Sequence, residues 1–168
     1  SKVEIFSLLS SMFEQDGVKY VIESTADRTC RVIDCAYNST NNTVNIGEKV
    51  VYKKITLTIT EIMPYAFYDN DDIKEVYVKH NGNIQDWAFS YCDGIQTVDV
   101  SNQGYIGDYA FSSCGIQNIK ASNQGYIGDN AFMSSVGMQS IEISNLGDIG
   151  KSAFEGCSGD QTIIKISN

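Results

Sequence analysis

The sequence predicts an α/β, β-rich solenoid: about five coils of about 22 residues, with a parallel concave sheet and short helical turns, preceded by an N-terminal β cap. Three observations predict it. The phrase Ile-x-x-x-Ala-Phe occurs five times, with its alanines at Ala66, Ala88, Ala110, Ala131 and Ala153, so the steps are 22, 22, 21 and 22 residues. Each phrase is followed by an apolar ladder: Ile73/Val76/Val78, Ile95/Val98/Val100, Ile116/Ile119/Ala121, Met138/Ile141/Ile143, and a looser Ile164/Ile166. A glycine then closes the first four cycles, at Gly82, Gly104, Gly125 and Gly147.

The ladder justifies the strands. Apolar and polar residues alternating over four or five positions make a strand with one buried face. A period of about 22 residues is too short for a strand-helix-strand unit but suits one coil of a stack. The Ala-Phe phrase justifies the turns. Asp86, Asp108 and Asp129 stand two residues before the alanine, where an N-cap carboxylate opens a helical turn, and Pro64 takes that place in the first coil. Alanine lets the turn approach the sheet, and phenylalanine fills the space beneath it. No coil can bury these side chains alone, so stability comes from stacking.

The recurring Ile-Gly-Asp-x-Ala-Phe-x-x-Cys, as in Ile106 to Cys114, resembles the BspA-type leucine-rich repeat over about residues 61–168. Asn70 and Ser135 stand where that pattern has its cysteine. The stretch from Gly17 to Ile62 resembles the β-rich leader that precedes such repeats. The resemblance implies a leucine-rich-repeat solenoid. It further implies a secreted or cell-surface protein of a host-associated microbe that mediates adhesion or protein interaction.

The division expected is therefore a β-rich cap over residues 1–60 and the repeats over 61–168. Residues 17–24 and 30–37 alternate around the polar turn Thr25-Ala26-Asp27-Arg28 and read as a hairpin. Residues 44–60 carry a further β-rich stretch, with Val50-Val51-Tyr52 and Ile55 to Ile59, and Asn38 to Asn42 form a polar loop with two glycosylation sequons, at Asn38 and Asn41. Ile5, Leu8, Leu9, Met12 and Phe13 lie at helical spacing, which predicts a short amphipathic helix over 4–13. A processed leader is the alternative there, although Glu4 fits an apolar signal core poorly.

Charge narrows the partners. The 168 residues carry 12 Lys and Arg against 21 Asp and Glu, net −9, and residues 61–168 hold the whole excess. Phosphate binding needs clustered cations, so nucleic acid is excluded as a partner. No apolar run is long enough to span a membrane.

Nothing in the sequence assembles into a catalytic, metal or cofactor site, so a non-enzymatic protein without cofactor is expected. Cys92, Cys114 and Cys157 each fall four residues after the repeat alanine and read as a buried thiol ladder that does not bridge. His80 is the only histidine and shares its repeat position with Asn102, Asn123, Asn145 and Asn168. That reads as a polar ladder capping backbone groups, not as a catalytic base. The acidic string Asp69-Asn70-Asp71-Asp72 lacks the spacing of a calcium loop and reads as solvated.

Two surfaces remain as candidate binding sites. Tyr77, Asp99, Lys120, Glu142 and Lys165 lie between the buried strand residues, with Thr97 beside them, and would line the outer face of the sheet. Their charges alternate, which serves cross-strand pairing as well as a protein partner. On the opposite side Tyr65, Trp87 and Tyr109 precede the alanine in three consecutive coils and would stack as a row. Such a row suits a glycan or protein ligand, or packs beneath the cap. The alternative to a binding module is a structural spacer or self-assembling solenoid, pairing through the sheet edge at Ile164 to Ser167.

Overall fold

A computed structural model describes residues 12–36, 42–160 and 162–167. The predicted hairpin is present as β2 (Val18–Ser24) and β3 (Thr29–Cys35), paired antiparallel. Its turn closes through Ser24, whose hydroxyl donates to Asp27 Oδ2 at 3.1 Å and accepts the Asp27 N–H at 3.1 Å. Most of the helix expected over 4–13 lies outside the described residues. Its last two, Met12 and Phe13, open strand β1 (Met12–Gln15) instead. The cause is aromatic packing: the Phe13 ring lies between Tyr20 at 4.9 Å and Tyr52 at 4.2 Å, on the face that alternation buries.

The leader and the coils share both sheets. Strand β4 (Thr43–Ile46) joins β7 (Glu75–Val78), β9 (Thr97–Asn102), β10 (Asn118–Asn123), β11 (Ser140–Asn145) and β12 (Ile163–Ser167) in one six-stranded parallel sheet. Val44 and Ile46 align with Val76 and Val78, which supplies a sheet strand ahead of the first Ala-Phe phrase. After β4 the chain makes a second hairpin, β5 (Lys49–Tyr52) with β6 (Ile55–Ile62). Strand β6 then pairs with β3 on one side and with the two-residue β8 (Asn83–Ile84) on the other. That ladder continues down the coils as parallel bridges between Ile84, Ile106, Ile127 and Ile149.

The core runs as a column inside this wrap. Phe67, Phe89, Phe111, Phe132 and Phe154 stack with centroids 4.8, 4.8, 5.2 and 5.2 Å apart and planes within 6°. The ladder residues of the first four coils are buried. In the last coil Ile163, Ile164 and Ile166 stay about 60% exposed on β12.

The expected helical turns are absent, so the fold is a β solenoid and not an α/β one. No helix occurs among the described residues. The Ala-Phe segments are successive tight turns, because the residue before each alanine is left-handed: φ is 61° at Tyr65, 62° at Trp87, 56° at Tyr109, 57° at Asn130 and 55° at Ser152. A left-handed residue at that point cannot start a right-handed helix. The backbone donors then divide between two partners. Ala88 donates within its own coil to Gln85, whereas Trp87, Phe89 and Tyr91 donate across to Asp108, Ala110 and Ser112 of the next coil.

The aspartates correct the N-cap reading in the same way. Asp86, Asp108 and Asp129 do not cap their own turns. Each Oδ1 accepts the N–H at the same repeat position one coil on, from Asp108, Asp129 and Lys151, at 2.8, 2.8 and 2.7 Å.

Candidate functional site

The repeat register turns sequence positions into columns, and four columns settle the chemistry of the surface. The first is the aromatic row. Trp87 stacks on Tyr65 at 6.3 Å and on Tyr109 at 4.3 Å, all planes within 7°. The row is not packed beneath the leader: Tyr65 is 56% exposed, and Trp87 and Tyr109 are half-buried. Tyr68 and Tyr91 extend it, Tyr68 meeting Tyr65 and Tyr91 edge-on at 5.3 and 5.6 Å. Trp87 thus has a ring over each face and presents its edge to solvent, while Tyr65 and Tyr109 end the stack with one stacked ring each.

The second column is Asp86, Asp108 and Asp129, one residue before Trp87, Tyr109 and Asn130. The inter-coil bonds hold one oxygen of each carboxylate and leave the other available. Gly107, Gly128 and Gly150 make this possible, since a Cβ there would stand 2.5, 2.5 and 2.6 Å from the aspartate Oδ1 of the preceding coil.

The third column is Tyr105 and Tyr126, stacked at 4.7 Å. Burial raises both phenol pKa values, and the nearby charges of Asp86 and Asp108 add to it. Both tyrosines therefore stay neutral beside the carboxylates. Between this pair and the aspartates runs a groove lined by Tyr126, Asp108, Asp129 and Asp148, with Gly128 and Gly150 along its base. Tyr105 also anchors a polar chain to the leader. Its hydroxyl donates to Gln85 at 2.7 Å, and Gln85 donates to Glu61 at 2.5 Å. Glu61 and Glu23 then pair with Arg31 at 3.3 and 2.6 Å.

The fourth column crosses the parallel sheet. Tyr77, Asp99, Lys120, Glu142 and Lys165 are direct register partners in that order, and Thr97 aligns with Asn118. The structure thus brings together each residue of the expected outer-face row. This row and the aromatic row lie on different segments of each coil, one on the sheet strand and the other on the turn.

The remaining residues of interest are structural. Cys92, Cys114 and Cys157 donate to the carbonyls of Phe67, Phe89 and Phe132, one coil back, at 2.9, 3.1 and 2.9 Å, and all five cysteines are free. Burial pushes Cys30 up to about 12 and raises Cys114 well above the ordinary thiol range. His80 is buried, accepts the Gly82 N–H at Nδ1 at 2.9 Å, and is lowered to about 4 by desolvation. Asn102, Asn123 and Asn145 hold the same position and donate to carbonyls two or three residues on, and Asn102 donates also to the Gly82 carbonyl one coil back. Among the described residues no three His, Cys, Asp or Glu side chains converge as metal ligands would. No helix there is long and apolar enough to cross a membrane.

The Tyr105–Tyr126 pair and its groove escape the sequence reading. Their signal is the repeated Gly-Tyr-Ile-Gly-Asp at residues 104–108 and 125–129, in which the tyrosine recurs beside the buried isoleucine.

These features define a class, a right-through β solenoid with a continuous parallel sheet and a stacked phenylalanine core. Residues 29–104 and 60–168 match the model of the BspA type leucine rich repeat region, in six copies. The chain belongs to the BspA-type leucine-rich-repeat family. Solved structures of bacterial leucine-rich-repeat proteins share the fold. The T. pallidum leucine rich repeat protein is 18% identical, with TM-score 0.64, over 88% of this chain and 68% of that one. The pneumococcal vaccine antigen PcpA is 16% identical, also with TM-score 0.64, over 95% of this chain and 51% of its own. A Bacteroides ovatus leucine-rich repeat protein is 20% identical, with TM-score 0.53, over 86% of this chain and 45% of its own. The chain therefore spans about half the length of two of these proteins. Comparison with curated protein sequences gives no match.

Proposed function

We propose that the chain is a non-enzymatic protein-binding module, secreted or held at a cell surface, and that it engages its ligand through the flank bearing Tyr65, Trp87 and Tyr109. Membership of a leucine-rich-repeat family supports a binding role. Likeness in fold to a protein described as a pneumococcal vaccine antigen supports placing it at a surface.

The observation that carries the choice of flank is conformational. The residue before the alanine must be left-handed in every coil, a state that disfavours bulky side chains and suits asparagine. Coil four satisfies it with Asn130, whereas the first three coils place Tyr65, Trp87 and Tyr109 there. Stacking offsets part of that cost, about 0.5–1.5 kcal/mol per ring pair. The fold does not require aromatics at these positions, and exposed Tyr and Trp are the side chains that dominate protein interfaces. A flat glycan platform is the weaker reading, since stacking a sugar needs a free ring face and Trp87, the largest ring of the row, has a neighbouring ring on both.

The experiment is a binding screen of the purified chain against host matrix proteins and polysaccharides. It runs beside a Tyr65→Ala/Trp87→Ala/Tyr109→Ala variant and a Tyr77→Ala/Asp99→Ala/Lys120→Ala variant. Protein binding lost only in the first variant is the expected result; loss only in the second moves the site to the sheet face. A second reading, edge pairing through β12, is favoured by the exposure of Ile163, Ile164 and Ile166. Light scattering across concentrations tests it, and a monomer throughout would count against it.

A further inference from the structure

We infer that His80 makes the joint between the leader and the coils sensitive to acid: its ring can take up a proton only when the turn between β7 and β8 comes away from β6. The inference goes beyond the proposed function and does not depend on which flank binds the ligand.

Four observations carry it. First, the turn that holds His80 leads into β8, the strand that ties the second coil to the leader. That tie is short: Asn83 and Ile84 pair with Glu61 and Ile62, and the Gln85 N–H then reaches the Ile62 carbonyl at 3.0 Å. The turn lies directly on β6, since a Cβ at Gly82 would overlap the Thr60 carbonyl. Second, the closed turn leaves no room for another proton. Nδ1 accepts the Gly82 N–H at 2.9 Å, so the neutral ring carries its hydrogen on Nε2. A second proton must go to Nδ1, where it would face the Gly82 N–H and deprive it of its acceptor.

Third, nothing receives the cation. Nε2 is buried and has no hydrogen-bond partner among the described residues. The charged side chains on the surrounding elements are Lys79 in the turn, Glu75 on β7, Glu48 and Lys49 after β4, Glu61 on β6 and Asp99 on β9. None of them acts on the ring, which burial alone lowers to about 4. Fourth, the ladder is titratable only here. Asn102, Asn123 and Asn145 hold the same position in later coils, bond their own turns through the amide, and cannot take up a proton.

A buried imidazolium without a counter-charge is driven into water. Releasing it breaks few bonds: the one to Gly82, those that the His80 and Gly82 carbonyls accept from the Gln103 N–H and Asn102 Nδ2, and the two-residue β6–β8 ladder. The closed form holds the ring neutral down to about pH 4, whereas a released ring has the ordinary value of about 6.5. Opening therefore gains about tenfold for each pH unit of fall between those values. Glu61 is the other acid-labile group at the joint, because it accepts from Gln85 and pairs with Arg31 at 3.3 Å.

The test is amide hydrogen exchange on the full chain from about pH 7 to about pH 4.5, with and without low urea. The unsubstituted chain, His80→Asn and Glu61→Gln are compared. The expected result is that protection of the Gly82 and Gln85 amides, corrected for intrinsic exchange, falls about 100-fold from about pH 6.5 to about pH 4.5, whatever the urea. Amides of β10 and β11 stay at least about tenfold better protected and respond to urea. His80→Asn removes the pH dependence at Gly82 and Gln85, and Glu61→Gln keeps it. The same fall in His80→Asn, or its disappearance in Glu61→Gln, overturns the inference, because the carboxylate then carries the effect. A fall that matches β10 and β11 in size and urea response overturns it too, since His80 then titrates only as the whole chain unfolds. Should His80→Asn fail to fold, the ring resonances of His80 in the unsubstituted chain decide: a proton taken up while Gly82 keeps its protection overturns the inference.

Discussion

Gly128→Ala is the sharpest test of how the coils are held together. Gly128 does not have a left-handed φ, so adding a methyl group carries no conformational penalty there. On chain entropy alone the change would stabilise the protein by about 0.4–1 kcal/mol. The structure predicts the opposite. The new Cβ would lie 2.5 Å from Asp108 Oδ1 and 2.6 Å from the Asp108 backbone nitrogen, and backbone cannot swing aside as a side chain can. Overpacking costs about 1–3 kcal/mol, and pushing Asp108 away also strains the bond its Oδ1 accepts from Asp129. A net loss of about 2–3 kcal/mol follows, or a fall of about 5–10 °C in the thermal midpoint for a chain of this size. Gly47→Ala is the control, since nothing lies within 4 Å of a Cβ there. Calorimetry with circular dichroism on both variants reads the difference. If Gly128→Ala unfolds at the same temperature as Gly47→Ala, the close-contact account of the glycine column is wrong.

Other expectations follow from the core. Phe111→Ala opens a void between Phe89 and Phe132 and should cost about 3–5 kcal/mol by denaturant unfolding; a loss below about 1 kcal/mol would show that the ring column does not act as core. His80 is lowered to about 4, so the unfolded chain takes up a proton at a pH where the folded chain does not. Stability should be full above pH about 6.5 and fall by about 1.4 kcal/mol per pH step from there towards pH about 4. His80→Asn, which installs the residue of the other coils, should remove that slope from the stability-pH profile. Cys30, Cys92 and Cys114 are buried, so a thiol reagent should label them only on unfolding, while the half-buried Cys35 and Cys157 react first; mass spectrometry after a timed pulse distinguishes the two groups.

What the sequence shows and what it hides divide along local and non-local hydrogen bonding. The ladder residues and the Ala-Phe pairs repeat, so strands, core and coil period can be read directly. Residues 44–60 read as β-rich, but the place of strand β4 in the sheet of the coils is hidden, because its Val44 and Ile46 follow no Ala-Phe phrase and the β5–β6 hairpin separates it from β7. The helical turns are misread because Asp-x-Ala-Phe carries the residues of a helix start. Left-handed Tyr65, Trp87 and Tyr109 redirect the donors of that segment to the next coil, and no single-coil pattern reveals it. The aromatic row and the sheet-face row are both legible from spacing. The Tyr105–Tyr126 wall is overlooked because a tyrosine beside a buried isoleucine reads as an ordinary strand neighbour.

The turns also have a direction. At the Ala-Phe phrase the N–H groups point towards the following coil: Phe67 donates to Ala88, Phe89 to Ala110, Phe111 to Ala131 and Phe132 to Ala153. Just ahead of it they point back, from Gly107 to Ile84, Gly128 to Ile106 and Gly150 to Ile127. Each coil therefore carries a fixed order of donors and acceptors on one face and the complementary order on the other. Head-to-tail contact in that register matches every group, and repeated contacts of that kind grow as an open fibre rather than close as a dimer.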